Sequence, residues 1–264
     1  MNDFERPSPE TIARQFGAQA RLYAVSKLHR EGATLALLFE RLQPVMDETL
    51  LDLGCGPAHT ALFFAPYVRR VVGADLSDEM LRAAEIGARQ RGIEGHWVAT
   101  DVHRLPFRDR SFELVTCRAA AHHFTEPERA LVEAARVLTR GGRLGIVDGM
   151  VPEDDALDRF INDLDRLHDP TTVRNHRPSE WRELLEGVGL RIDSIEDEIY
   201  ELPDGRSLSE WIARSGGSSA VFDEARRRLL EAPSAVRDYL KVQERGDDVW
   251  FDYARVVIVA RRVD

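Results

Sequence analysis

The stretch Leu50-Leu51-Asp52-Leu53-Gly54-Cys55-Gly56-Pro57-Ala58 decides the fold. An apolar run carrying one acid ends in two closely spaced glycines, the pattern of a buried strand handing over to a tight turn and then a helix. Outward from it the same alternation repeats. Short, nearly continuous apolar runs occur at Thr49–Leu53, Arg70–Asp75, His96–Thr100, Phe112–Cys117 and Arg143–Asp148. Runs of this kind mark strands covered on both faces. Helical signals lie between them. Ser77, followed by Asp78 and Glu79, reads as an N-cap with acids in the first turn. Thr125-x-x-Glu128 reads as a capping box, with Leu131, Ala134, Ala135 and Leu138 at helical spacing and Gly141-Gly142 as the stop. Strand–helix repetition predicts an α/β domain with a doubly wound parallel sheet and helices on both faces.

The flanks read differently. Ser8-Pro9 is an N-cap followed by proline at the first helical position. Phe16, Ala20 and Tyr23 share one helical face, and Leu35, Leu38 and Leu42 form a second stripe. After Asp148, Leu157, Ile161, Leu164 and Leu167 mark an amphipathic helix, and Ser179 reads as the cap of another that ends near Gly187-x-Gly189. Leu190–Ile195 is a weaker strand and Val256–Ala260 a strong final one, with residues 207–242 helical between them. No internal repeat or low-complexity linker interrupts the chain. One domain over residues 1–264 is expected: a helical cap at 1–45, a binding core at 46–150, and lid helices with closing strands at 151–264.

Thirty-six Lys and Arg against 46 Asp and Glu give a net charge of −10. An acidic surface repels phosphate backbones, so nucleic acid is not an expected partner. No apolar run is long enough to span a membrane, and the polar segment Met1–Pro7 has no apolar region of the secretory type. The two cysteines, Cys55 and Cys117, can form neither a disulfide framework nor a zinc site by themselves. A cytoplasmic protein without a metal is expected; the oligomeric state is left open.

The glycine motif has a specific chemistry. The dinucleotide fingerprint needs a third glycine where this chain has His59, and a nucleotide phosphate loop needs a Gly-Lys-Ser/Thr that is absent. What remains is Asp-x-Gly-x-Gly. An acid beside the glycines suits a ligand with a cationic amine, such as the methionine part of S-adenosylmethionine (SAM). A glycine-rich turn of any α/β protein is the plainer reading. Asp75 follows at the end of the second strand, where an acid accepts from ribose hydroxyls. Thr100-Asp101-Val102 ends the third strand. Its carboxylate can accept from an adenine amino group while Val102 and Met80 flank the ring; alone, Asp101 would read as a turn residue.

These motifs, with Leu105-Pro106-Phe107-x-Asp109-x-Ser111-Phe112-Glu113, resemble class I SAM-dependent methyltransferases of the UbiE type, the methyltransferase type 11 family. Cys117-Arg118-x-Ala120-Ala121-His122-His123-Phe124, Ala20-x-x-Tyr23-x-x-Ser26-x-x-His29-x-x-Gly32, and Asp169-Pro170 with Val173-Arg174 resemble its YcgJ-like branch. The resemblance covers roughly residues 15–195 well and the C-terminus loosely. It implies SAM as cofactor, S-adenosylhomocysteine as product, and a Rossmann-like seven-stranded sheet whose last strand runs antiparallel. It further implies that Asp52, Gly54, Cys55 and Gly56 line the methionine portion, and Asp75 and Leu76 the ribose. Asp101 and Val102 would meet the adenine, with Arg118 beneath the cofactor; from their positions alone, Thr100, Met80 and Tyr23 are also read as cofactor-binding, with plain helix packing an equal reading for Tyr23.

Methyl transfer is an in-line displacement, and holding the two reactants in line supplies much of the rate. A general base is needed only when the nucleophile starts protonated. His122 and His123 follow the fourth strand; neighbours on a helix point about 100° apart, so one is expected to face the pocket while the other packs. Tyr23, Ser26 and His29 recur every third residue and could close the pocket. Asp148, ending the fifth strand, is another candidate base or else a helix cap. Arg174, His176 and Arg177 form a basic cluster that would hold an anionic acceptor or lie in a solvated turn. Cys55 sits where a small cofactor-lining residue belongs and is not read as a nucleophile. The expected activity is methylation of a small organic molecule of quinol or natural-product type at carbon, oxygen or nitrogen. The alternatives are a SAM-binding protein without methyl transfer and a macromolecule methyltransferase. The Asn/Asp-Pro-Pro-Tyr/Phe motif of the last class is replaced here by Cys117-Arg118-Ala119-Ala120.

Overall fold

The computed structural model describes residues 6–264. Residues 1–5, on which the reading of the N-terminus as leaderless partly rests, lie outside the described residues. Three helices come first: α1 (Pro9–Val25), α2 (Lys27–Glu31) and α3 (Ala33–Leu42). The alternating core follows: β1 (Thr49–Leu53), α4 (His59–Phe64), β2 (Arg70–Asp75), α5 (Asp78–Gln90), β3 (Gly95–Ala99), β4 (Phe112–Arg118), α6 (Pro127–Val137) and β5 (Leu138–Gly149). The rest comprises α7 (Asp155–His168), α8 (Pro178–Gly187), β6 (Leu190–Tyr200), β7 (Arg206–Ser207), α9 (Leu208–Arg214), α10 (Ser219–Glu231) and α11 (Ser234–Tyr239). It closes with β8 (Gln243–Arg245), β9 (Asp248–Phe251) and β10 (Ala254–Arg262).

The main sheet has seven strands in the order β3-β2-β1-β4-β5-β10-β6. Strand β1 runs parallel to β2 and β4, whereas β10 is antiparallel to both its neighbours. Strand order reverses at β1, which opens a crevice beyond the carboxyl ends of β1 and β4. Successive side chains alternate across the sheet. Leu50, Leu114 and Val257 pack on α3, α4 and α5 on one face, and Leu51, Val115 and Ile258 join the core that holds α6 and α8 on the other. Gly145 lets α3 lie close, because a Cβ there would stand 2.6 Å from Leu38 Cδ1.

Two expected helix caps differ, for one reason. Glu126 and Arg177 hold the cap positions, with Pro127 and Pro178 as the first helical residues. Proline's fixed φ suits that first position, so the residue before it becomes the cap and Thr125 and Ser179 are displaced from the role. Helix α6 also ends at Val137, before the glycine pair, because Leu138 pairs with Phe112 and is drawn into β5. Strand β3 is only partly buried, since it lies at the sheet edge.

A third apolar cluster, with Ile161, Leu164, Trp211, Leu229 and Phe251, sits among α7, α9, α10, α11 and β9. It carries a small antiparallel sheet, β7-β9-β8, that the sequence reading lacked. Strands of two to four residues are too short to print an alternating pattern.

Candidate active site

The turn after β1 is shaped by three left-handed residues, Gly54 at φ +59°, Gly56 at +52° and Ala58 at +61°. A Cβ on Gly54 would stand 2.6 Å from the Ala120 Cβ, so only glycine fits there. Asp75 braces this turn: Oδ2 accepts the Gly56 N–H at 2.8 Å and Oδ1 accepts the Ser77 N–H at 2.9 Å. Burial pushes the Asp75 carboxyl upward, and these N–H groups pull it back in part.

The crevice encloses about 940 Å³, counting its open mouth, which is the size of a cofactor site. Gly54, Cys55 and Gly56 form one wall, and Asp75, Leu76 and Met80 another. Asp101, Val102, Arg118 and His123 complete the lining. Ile12, Phe16 and Tyr23 of α1 roof it. A loop without Cβ atoms, an acid at the end of β2 and a second acid at the end of β3 fit the amino-acid, ribose and adenine parts of SAM in turn.

Two expected lining residues stand elsewhere. Asp52 is 2% exposed and lies beneath the turn, where Oδ1 accepts the Thr116 hydroxyl at 2.7 Å and Oδ2 the Ala61 N–H at 3.3 Å. Burial raises its pKa to about 7. It joins β1, β4 and α4, so its carboxylate supports the glycine turn from below and does not form the cleft wall. Thr100 stands behind the wall, its N–H donating to the Asp75 carbonyl at 2.9 Å. Asp101 Oδ1 accepts the His103 N–H at 2.9 Å and meets His103 Nδ1 at 2.5 Å.

The roof is tied down at three points. His59, in place of a third motif glycine, donates from Nε2 to the Tyr23 carbonyl at 2.9 Å. Arg118 Nη1 donates to the His29 carbonyl at 2.9 Å, and Gln19 Nε2 to the Ser215 carbonyl at 2.7 Å. Ser26 breaks the helix between α1 and α2, yet the Tyr23 and His29 rings meet at 4.9 Å. Phe16 packs edge-on against both Tyr23 and His123, at 5.8 and 4.8 Å.

Tyr23, His29, Ala119 and His123 line the crevice and also a second, inner chamber of about 540 Å³. His122, Asp165, His168 and Asp169 line its interior, with Trp211 and Tyr253 beside them. Arg206, Arg214 and Arg255 also face it. Both histidines reach this chamber, contrary to the expectation that one packs away. They share a single tight turn, Ala121–His123, with ring centroids 3.9 Å apart.

His122 Nδ1 lies 2.5 Å from Asp148 Oδ1, and Asp148 itself is 1% exposed and lines neither cavity. Burial lowers the His122 pKa, but the Asp148 carboxylate more than offsets this and the net shift is upward. Burial and the neighbouring His122 push His123 down to about 4, so it stays neutral at pH 7. Its Nδ1 donates to the Thr171 carbonyl at 3.0 Å. Burial, and then Asp169, raise the Tyr23 hydroxyl to about 12.

The basic cluster read from the sequence is self-neutralised. Arg174 pairs with Asp158 and Glu180, and Arg177 with Asp155 and Asp158, while His176 Nδ1 lies 3.6 Å from Glu180. The sequence reading missed Arg206, Arg214 and Arg255. Only Arg255 left a trace, as a cation at the head of the apolar run Ala254–Ala260.

A seven-stranded sheet of this order, with one antiparallel strand and a cofactor-sized crevice at its switch point, defines the class I SAM-dependent methyltransferases. A family model described as a methyltransferase domain matches residues 51–146. The uncharacterized methyltransferase YcgJ of Bacillus subtilis is 34% identical over 246 residues, covering 92% of this chain and 96% of that one. The crystal structure of a putative methyltransferase from Bacillus halodurans superimposes with a TM-score of 0.84 at 30% identity, covering 88% of this chain and all of that one. A demethylmenaquinone methyltransferase of Clavibacter sepedonicus is 29% identical, over 67% of this chain and 68% of its own. The chain belongs to this methyltransferase family, alongside YcgJ, and is a SAM-dependent enzyme. Among the described residues, no helix is long and apolar enough to cross a membrane.

Proposed function

We propose that this enzyme methylates a small organic acceptor held in the inner chamber, and that His122 takes the acceptor's proton. The observation that carries this reading is the shared wall: Tyr23, His29, Ala119 and His123 border both cavities. Two compartments meeting at one wall let a donor and an acceptor face each other.

When bound, SAM supplies an electrophilic methyl carbon on a sulfonium. Gly54, Gly56, Asp75 and Asp101 hold the donor, and Tyr23 covers it. Asp148 fixes the His122 tautomer with Nδ1 protonated and Nε2 as the lone-pair atom, as a carboxylate does for a catalytic imidazole. His123 stays neutral and fills the space between the cavities. The polar lining of the chamber supports an acceptor with a protonated nucleophile, such as a hydroxyl, more than an unactivated carbon.

Small acceptors, as opposed to nucleic acid or protein, fit a concave chamber of about 540 Å³, counting its open side. Calorimetric titration with S-adenosylhomocysteine, followed by incubation of the enzyme with methyl-labelled SAM and small-molecule extracts, tests the proposal. Label is expected in low-molecular-weight products. Tight binding of the product with label reaching only macromolecules would refute the small-acceptor reading.

A further inference from the structure

The inner chamber carries two cations, Arg206 and Arg214, that its own acids do not hold in ion pairs. Arg206, on β7, is 5% exposed, and its Nε has no hydrogen-bond partner. No ion pair joins Arg206 or Arg214 to a carboxylate among the described residues. Arg255 alone is balanced, by Glu201 at 3.9 Å and Asp148 at 4.0 Å. Arg206 and Arg255 both lie against the Tyr253 ring, with guanidinium carbons 4.9 and 5.4 Å from its centroid. Like charges are thus held close together out of water.

The acids on the chamber wall keep their charge but aim their oxygens at neutral donors and not at Arg206 or Arg214. Asp165 accepts the Tyr253 hydroxyl at 2.5 Å and an N–H of Asn175. Asp169 accepts the Thr171 N–H at 2.9 Å and its hydroxyl at 2.6 Å. Burial and the charges of Arg255 and Arg214 lower the Arg206 pKa to about 10. Glu201 acts on Arg206 only at a distance; a buried guanidinium without a hydrogen-bonded carboxylate is costly, and an oxyanion presenting two oxygens satisfies its fork of donors directly.

Building on the methyl-transfer reading, we propose that Arg206 and Arg214 clamp an oxyanion, so that the acceptor is a compact acid bearing a carboxylate or phosphate. The charged end lies against the arginines, and the nucleophilic atom turns toward His122. The lipid tail of a quinol would leave both guanidinium groups desolvated and unpaired. The acceptor's proton goes to His122 Nε2, its nucleophile forms the new bond to the methyl carbon, and the broken carbon–sulfur bond returns its electron pair to sulfur.

The test is calorimetry on enzyme saturated with S-adenosylhomocysteine, titrated with benzoate, phenyl phosphate and neutral benzamide. Saturation is verified first by direct titration; failure at that step would count against the methyl-transfer reading itself and not against the clamp alone. Wild type should bind at least one of the two anions tenfold or more tightly than benzamide, and which anion binds separates carboxylate from phosphate. Arg214→Met, at a half-buried position, and Arg206→Met should each weaken that anion roughly 10–100-fold, the loss of one charge-assisted contact. Arg206→Lys should retain most of the affinity, and all three variants should bind S-adenosylhomocysteine as wild type does. No anion binding above that of benzamide, or anion binding unaffected by Arg214→Met, would overturn the proposal.

Discussion

Asp148 grips His122 twice: Oδ1 meets the imidazole Nδ1 at 2.5 Å, and Oδ2 accepts the main-chain N–H of the same residue at 2.9 Å. A ring held at one nitrogen and at its own backbone has a fixed tautomer and a fixed direction. The carboxylate ends β5 and the histidine follows β4, so adjacent parallel strands deliver the pair to the same end of the sheet.

The pair sets a pH dependence. Alone, burial would take His122 below its usual 6.5; Asp148 carries it above. The catalytic form is neutral, so kcat/KM should climb as pH rises through this raised value. In Asp148→Asn the lift disappears and burial governs, so the limb moves to lower pH while the rate falls. NMR titration of the His122 ring reads the same shift without an acceptor. An unchanged midpoint in Asp148→Asn would contradict the account.

The same groups contribute to stability in a window. The His122 ring beside it holds Asp148 at about 2, below the ordinary 3.8 of an aspartate, so its contribution is present above the higher value and lost as pH falls toward the lower. The His122 pKa is raised, so its contribution is full below 6.5 and lost as pH climbs through the folded-state value. Denaturant unfolding across pH should show the difference between wild type and Asp148→Asn to be largest between about 4 and 6.5. A flat difference would exclude the pairing.

Gly54→Ala should both destabilise and inactivate. Its φ of +59° costs an L-residue about 1–2 kcal/mol, and the new methyl would stand 2.6 Å from Ala120 Cβ. Overpacking adds about 1–3 kcal/mol. Chemical denaturation and S-adenosylhomocysteine titration measure the two losses. A variant as stable as wild type would mean that this turn is not rigid.

Asp75→Asn should weaken S-adenosylhomocysteine by roughly 10–100-fold, the loss of a charged acceptor. Because Asp75 also accepts the Gly56 and Ser77 N–H groups, Asp75→Ala should in addition lower stability by about 1–3 kcal/mol. Unchanged affinity in both variants would remove Asp75 from the ribose site.

The roof helices should gain hydrogen-exchange protection when S-adenosylhomocysteine binds, in the segment Phe16–His29. Ile12, Phe16 and Tyr23 cover the crevice; α1 packs on α5, and side-chain bonds made by His59, Arg118 and Gln19 add to its hold. Closing elements of this kind open at lower free energy than a sheet. Equal strong protection with and without ligand would show permanent packing.

The bounds of β1 and β2 read from sequence coincide with those in the structure, because central parallel strands are buried on both faces and print continuous apolar runs. Cleft residues Gly54, Asp75 and Asp101 were legible because each stands at a strand end, where chain position and site position coincide. The inner chamber was not. Arg206, Arg214 and Arg255 come from a two-residue strand, a helix end and a strand start brought together only by the tertiary fold. Arg174 and Arg177 stood out because they are neighbours in sequence, and their neutralising acids on α7 are not.

Turnover of methyl-labelled SAM by wild type and His122→Asn, in the presence of a small-molecule extract, tests the central claim most directly. Asparagine preserves a donor toward Asp148 but offers no base. Wild type should release S-adenosylhomocysteine and label a small molecule in equal amounts. His122→Asn should bind S-adenosylhomocysteine normally and transfer about 10²–10⁴-fold more slowly. Equal transfer rates in the two proteins would contradict the assignment of His122 as the proton acceptor.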